Sequence, residues 1–526
     1  MTMVIRGEPV SLASKPVQAS GLSVRPATRL FNAELDLDDG TDVPRPYLAE
    51  TLPQINTDDW RVLPDGRMET TYRLKPNLTW HDGTALSASD FVFAFQVFVS
   101  PEFGQSTSTP IGQIEEVNAV DDRTIMIKWK RPFPDAGSLR DTFQPLPRHI
   151  LQAPFERQDP EAFVNLPYWG TEYVGLGPYQ LVRWEPGAAI EGAAFPGHVL
   201  GRPKIDRVVV RFISDENIVL SNVLTGEAQF TAFQTLRYEH SQVLKNQWGA
   251  NAGTVIMIPV QLRFIHIQLR PEVAQPRSLL DLRARRALVH GIDRKGIDEG
   301  LFNGEGIGTE TFLPKTLRYW PDIDRAVAKY PYDARRVDQL WTELGYRKGG
   351  DGIYASDQGE RLSLDFWGDV GSAFEKEQAT IAEGWRQLGI ETNLSTVPVV
   401  QFRNGQLRNS FHAMYTTAGP ASTPDAMRMM TTGNIATANN GWTGSNRGSW
   451  SNGDYDRNWD LFTTTLDPQQ RINHLIEMEK LLADNLGLVM LFHNPSVVTH
   501  QRSVVGPDPK APHDLVVWNI HEWEMR

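Results

Sequence analysis

Glu69-Thr-Thr-Tyr72-Arg-Leu74-Lys-Pro-Asn-Leu-Thr-Trp80-His81-Asp82-Gly83-Thr84-Ala-Leu-Ser87-Ala-Ser-Asp90-Phe-Val-Phe-Ala-Phe95 carries three local signals in immediate succession. Thr70, Tyr72 and Leu74 alternate with Thr71, Arg73 and Lys75, the pattern of a half-buried strand. His81 to Thr84 is a turn, with Gly83 free to take positive φ. Ser87 and Asp90 have capping-box spacing, with Asp90 in place of the usual Glu or Gln. They predict an apolar helix over 88–99.

Further matches lie on either side. Thr124 to Trp129 alternates as a strand after the turn Asp121-Asp-Arg123. Gly175-Leu-Gly177-Pro178-Tyr179 is a turn that returns the chain to a sheet. Val208 to Phe212 reads as a buried strand. Asp281 caps a helix whose apolar face includes Leu282, Ala284, Leu288 and Ile292. A helix from Ala334 ends near Leu344-Gly345, and Glu375 to Leu388 is a helix stopped by Gly389. Ile390 to Val397 alternates as a strand. Asp467-Pro468 caps and starts a last long helix, which Gly487 breaks before the buried strand Leu488 to Phe492.

The segment from Trp80 to Phe93 resembles the signature of family 5 extracellular solute-binding proteins, the oligopeptide-, dipeptide- and nickel-binding proteins of bacterial ABC importers. Their wording runs close to "F-H-D-G-x-P-L-T-A-x-D-V-x-F". Gly175-Leu-Gly-Pro-Tyr179 resembles the family's "G-T-G-P-Y", and Asp281 to Arg294 its "V-R-x-A-L-x-x-A-I-D-R". Such matches run in family order from about Arg29 to Phe492, nearly the whole chain.

The resemblance implies an α/β, periplasmic-binding-protein-like type II (cluster C) fold: a two-lobed clamshell with an extra domain. Residues 1–58, 172–266 and 486–526 would form lobe 1, 59–171 the extra domain, and 267–485 lobe 2. The lobes would close on a ligand about a two-stranded hinge. A length of 526 residues fits three domains.

Composition narrows the function. Net charge is −12 and no basic stripe occurs, which disfavours nucleic acid as a partner. There are no cysteines, so disulfides, thiol catalysis and cysteine metal sites are excluded. No apolar run reaches membrane-spanning length. Met1 to Gly21 shows no signal-peptide core and no lipobox cysteine. The resemblance implies a periplasmic or extracellular, membrane-associated protein, with its signal either removed or lying before Met1.

No Walker A, His-Glu-x-x-His or Gly-x-Ser-x-Gly pattern occurs. His81 is expected to make a structural hydrogen bond. His412, His474, His493 and His500 lack ligand spacing, so no metal and no cofactor are expected.

In peptide-binding relatives a segment like "F-D-x-x-x-x-G-W-x-A-D-Y-x-D-P" supplies an aromatic wall, and its Asp after the Trp anchors a peptide ammonium. Here Phe411 to Pro424 contains no Asp or Glu. A buried ammonium without a counter-charge is heavily penalised, so a free peptide is disfavoured. Thr416 and Thr417 offer neutral hydrogen-bonding groups instead.

The resemblance places Trp367, Tyr415 and Trp442 in cleft-lining segments, along with Phe31 and Asn32 near the N-terminus. Arg403 is a candidate partner for a ligand carboxylate. Trp450 is expected to be structural. Flat rings beside hydroxyl and amide groups suit a sugar or another neutral polar ligand. The expected function is capture of a peptide, oligosaccharide or similar solute and its delivery to an ABC permease, by a monomer without catalysis. A secreted carbohydrate-active hydrolase is the alternative.

Overall fold

The computed structural model describes residues 1–13, 25–41, 43–103, 106, 109–139, 142–249, 251–402, 404–421, 423–508 and 515–526. The chain forms two compact units. The first comprises 1–258, 464–466 and 496–526; the second comprises 259–463 and 467–495.

In the first unit the opening motif folds as its sequence dictates. Strand Met68–Arg73 pairs antiparallel with Trp60–Val62 and Thr124–Trp129, and Thr124–Trp129 pairs with Ile114–Asp121. Tyr72 faces Ile125 across the ladder, and both are buried. Trp129 Nε1 donates to Thr70 Oγ1 at 2.9 Å on the buried face. Helix Ala88–Val99 begins where the capping box predicts, with the Ser87 amide donating to Asp90 Oδ2 at 2.9 Å. Phe91, Ala94, Val97 and Phe98 supply its buried stripe.

The two motifs read separately in the sequence meet here. The His81 amide donates to Gly175 O at 2.9 Å. The Gly175 amide donates to His81 Nδ1 at 3.2 Å, and His81 Nε2 lies 3.0 Å from Gly177 O. The imidazole therefore carries its proton on Nε2. Burial holds its pKa down near 4, so it is a neutral structural group. A Cβ on Gly175 would lie 2.1 Å from Phe31 O, and one on Gly177 would lie 2.4 Å from the Asn32 amide nitrogen. Backbone approaches this close leave room only for glycine.

A second sheet of this unit joins Thr2–Ile5 in parallel to Arg207–Phe212 and Phe230–Leu236. Antiparallel Ala189–Ala194 and Tyr179–Glu185 extend it on one side. Phe230–Leu236 pairs antiparallel with the end of strand Val489–Gln501, placing Phe230 opposite His500. Helix Glu216–Thr225, capped by Asp215, packs Val219 and Val223 onto Val4, Leu236 and Val497.

The second unit holds a sheet in which Ser363–Asp369 runs parallel to both Glu391–Val397 and Met414–Pro420. Met414–Pro420 is antiparallel to Gln261 to Ile267 of strand Gly253–Ile267. Helix Ser372–Leu388 links the first two strands, as a parallel pair requires. It starts three residues earlier than its sequence pattern predicts. Its Trp385 Nε1 donates to Leu288 O at 3.0 Å, which docks helix Leu282–His290. The last long helix, Pro468–Asn485, starts at the Asp467 cap as predicted. It buries Leu475, Met478 and Leu482 against Phe264, Phe312, Trp450 and Tyr455. Trp450 is thus a core residue. The strand after this helix, Val489–Gln501, is much longer than the run Leu488 to Phe492.

Candidate functional site

Alternation along Met414–Pro420 decides what each side chain can do. Successive residues of a strand face opposite sides of the sheet. Tyr415 and Thr417 therefore share one face, and Thr416 takes the other.

On the first face Asp369 is the centre. It ends strand Ser363–Asp369, two residues beyond Trp367 and so on the same side. Asp369 Oδ2 accepts from Thr417 Oγ1 at 2.6 Å, and Oδ1 accepts from the Tyr415 hydroxyl. Arg408 Nη2 adds bonds of 3.2 and 3.4 Å to the two oxygens. Arg408 Nε also donates to the Tyr415 hydroxyl at 3.1 Å. Both carboxylate oxygens are fully engaged. Burial, then the neighbouring carboxylate, pushes the Tyr415 hydroxyl up to about 12, so it stays a donor.

Aromatic groups frame this network. Tyr415 stacks on Phe411 with centroids 5.7 Å apart, and Trp367 and Phe402 pack against the same cluster. The guanidinium of Arg447 lies 5.6 Å from the Tyr415 ring centroid, within cation–π range. Burial and Arg408 lower its pKa to about 10, still charged at neutral pH. His266 sits opposite Tyr415 in the ladder, fully buried with both ring nitrogens unpartnered among the described residues. Burial, then Arg447, Arg408 and Arg270, hold it neutral. Two guanidiniums against one carboxylate leave the face positive and rich in donors.

On the opposite face Thr416 Oγ1 donates to Glu377 Oε1 at 2.6 Å. Glu377 pairs with Arg263 at 2.7 Å, and Arg263 lies over the Phe374 ring at 3.3 Å. Glu377 is wholly buried and Arg263 is 5% exposed at its side chain. Thr416 is therefore committed inside the fold.

The other sequence candidates are placed as follows. Phe31 is fully buried in the first unit, its ring against Gly192. Asn32 is buried there too and donates to Gln144 Oε1 at 2.7 Å. Arg403 lies outside the described residues. Trp442 lines a different pocket of the second unit, with Arg270, Asn409 and His412. Trp367, Tyr415 and Thr417 are the candidates brought together. Sequence reading missed Asp369, Arg408 and Arg447. The signal for Asp369 was present: a strand that points Trp367 at a site points its i+2 residue there as well.

The mixed sheets and helices of the two units define an α/β periplasmic-binding-protein-like type II fold. The chain belongs to the bacterial extracellular solute-binding proteins, family 5, whose model matches residues 50–441. It is 24% identical to the oligopeptide-binding protein AppA of Bacillus subtilis, over 73% of this chain and 70% of that one. A Brucella ovis protein described as an ABC transporter peptide-binding protein is 25% identical over 55% of this chain, and the chain spans about half (51%) of its length. Among solved structures, NikZ from Campylobacter jejuni in complex with Ni(L-His) superposes with a TM-score of 0.76 at 19% identity, covering 100% of this chain and 99% of that one. Among the described residues no helix is long and apolar enough to cross a membrane. No group of three or more His, Asp or Glu among them is arranged to hold a metal ion.

Proposed function

We propose that this chain captures a small polar solute outside the cytoplasm and delivers it, unchanged, to the permease of an ABC importer. Family membership across residues 50–441 supports the solute-binding role. The Asp369 face supports a ligand class. The carboxylate nearest Tyr415 and Thr417 already accepts from Tyr415, Thr417 and Arg408. A ligand ammonium would have to displace Arg408 and sit beside Arg447. Neutral polar ligands, oligosaccharides first, are the proposed class, in preference to free di- to pentapeptides.

The observation that carries this reading is the saturation of Asp369. Native mass spectrometry of gently purified protein should recover an intact bound solute without a free amine. Calorimetry should show oligosaccharides binding better than free peptides. Micromolar binding of a peptide, lost when its amine is acetylated, would overturn the ligand class. Steady conversion of the ligand in proportion to protein would overturn the role itself.

A further inference from the structure

Trp442 stands in a pocket of its own. About 490 Å³ of concave space opens among the loop after Ile267, the short helix Gly405–Arg408 with the residues that follow it, and the segment Ala436 to Trp442. Arg270, Gln406, Asn409, His412, Thr437 and Trp442 are among its walls. None of these is Asp369, Tyr415, Thr417 or Arg408.

The pocket is rigidly assembled. Arg270 donates to Ala436 O at 2.8 Å, Arg447 O at 3.0 Å, Asn409 O at 3.2 Å and Gln268 Oε1 at 3.3 Å. One guanidinium thus ties three segments of the wall through its Nη1 and Nη2 groups. Its charge also lies 6.0 Å from the Trp442 ring centroid. Trp442 is held at φ 61, in the left-handed region where a bulky residue is strained. Its amide donates to Thr437 O at 2.8 Å. Its backbone presses so close to Gly405 that a Cβ there would lie 2.4 Å from Trp442 O. The chain accepts strain and a glycine to keep this half-buried indole at the pocket.

One wall group is unsatisfied. Asn409 is 3% exposed, and its Nδ2 donates to Gly405 O at 2.7 Å, which fixes the orientation of the amide. Its Oδ1 is buried and has no partner among the described residues. A buried acceptor without a donor is costly. A half-buried ring in a wall that also holds Glu272, Gln406, Ser410, His412 and Thr437 matches a pyranose, with the C–H face on the indole and the hydroxyl edge on these polar groups.

We infer that the Trp442–Asn409 pocket is a second, separate binding site of the protein, and that it takes a saccharide ring. The inference goes beyond the solute-capture reading and does not use the Asp369 face.

The test uses the full chain with maltose and cellobiose as probes, read by calorimetry and by fluorine NMR of 5-fluorotryptophan-labelled protein, the Trp442 resonance being assigned by Trp442→Phe. At least one disaccharide should bind and shift the Trp442 signal. Trp442→Ala should weaken binding about fivefold or more, the size of one stacking contact. If neither sugar moves the Trp442 resonance, the pocket holds only water and the inference fails. If sugar binding is lost in Thr417→Val and kept in Trp442→Ala, the sugar sits at the Asp369 face. The pocket is then overturned while the solute-capture reading stands. The label on otherwise unaltered protein keeps the test valid even if Trp442→Ala misfolds.

Discussion

Glu377 and Asp369 lie on opposite faces of one sheet, reached by consecutive threonines of one strand, and they are built to different ends. Glu377, on helix Ser372–Leu388, is fully buried against the sheet, paired one-to-one with Arg263, and Thr416 donates to its other oxygen. Asp369 is 9% exposed at its side chain and shares its neighbourhood with two guanidiniums, of which only Arg408 bonds it among the described residues. The first arrangement balances its charge and excludes water. The second leaves Arg447 with donors unspent on any carboxylate among the described residues. A closed ion pair serves packing, whereas a surplus of oriented donors beside aromatic rings can serve a ligand.

The largest effect should come from breaking the closed pair. Arg263→Ala strands Glu377 in the core and should cost about 3–5 kcal/mol in a denaturant titration. Replacing both partners with apolar residues, Arg263→Met with Glu377→Leu, should recover most of that loss, because the desolvation of both ions is removed. If Arg263→Ala proves harmless, Glu377 is reached by water and the contrast between the faces collapses.

A third carboxylate sharpens the same contrast through pH. Glu479, on helix Pro468–Asn485, is wholly buried with no cation bonded to it among the described residues, and accepts from the amides of Phe312 and Leu313 at 2.8 Å each. Burial pushes its pKa up to about 7, against the opposing pull of those two amides. The folded state therefore holds a proton that the unfolded state releases above pH 4.5. This group's contribution is full below pH 4.5 and is lost as pH rises through 7, about 3 kcal/mol in all. His493 works the other way: burial lowers it to about 4, so its contribution grows with pH between 4 and 6.5. Glu479→Gln should remove the downward arm alone. Urea midpoints of the wild type and Glu479→Gln should diverge from pH 5 to pH 8, and parallel curves would refute the assignment.

The sequence made the outline of the fold legible because its signals are local. The capping box at Ser87, the Gly175-x-Gly177 turn and the Asp467 cap each act within a few residues, and each appears where expected. The site was less legible because its chemistry is assembled over distance. Asp369 and Thr417 are separated by 48 residues in the chain and meet only once their two strands pair. The search for a counter-charge between Phe411 and Pro424 could not see a carboxylate arriving from a neighbouring strand. Strand parity was the available clue. It would have joined Asp369 to Trp367 and separated Thr416 from Thr417.

On the Asp369 face, Tyr415→Phe removes one donor from an ionised acceptor and should cost roughly 1–2 kcal/mol, less than Arg263→Ala. Arg408 remains to hold the carboxylate. The variant should also loosen Arg408, whose Nε loses its hydroxyl partner. Affinity for the captured solute should therefore fall by more than the melting point suggests. An affinity unchanged within error would show that this network is only scaffolding.

The smallest difference is the most diagnostic, because it compares adjacent residues under one substitution. Thr416→Val and Thr417→Val each delete one hydroxyl from a carboxylate and keep the side-chain shape. Hydrogen bonds to charged groups contribute roughly 1.5–3 kcal/mol when nothing replaces them. Thr416→Val leaves Glu377 Oε1 in a dry environment, so it should show a loss in that range. At Thr417 the oxygen concerned, Asp369 Oδ2, keeps a second donor, because Arg408 Nη2 already lies 3.4 Å from it. Thr417→Val should therefore be milder by about 1 kcal/mol in stability. Solute affinity should rank the two in reverse, with Thr417→Val weakening binding and Thr416→Val leaving it near the wild-type value. Equal stability losses together with equal affinities would mean that both faces are interior, and the Asp369 face would lose its claim to a ligand.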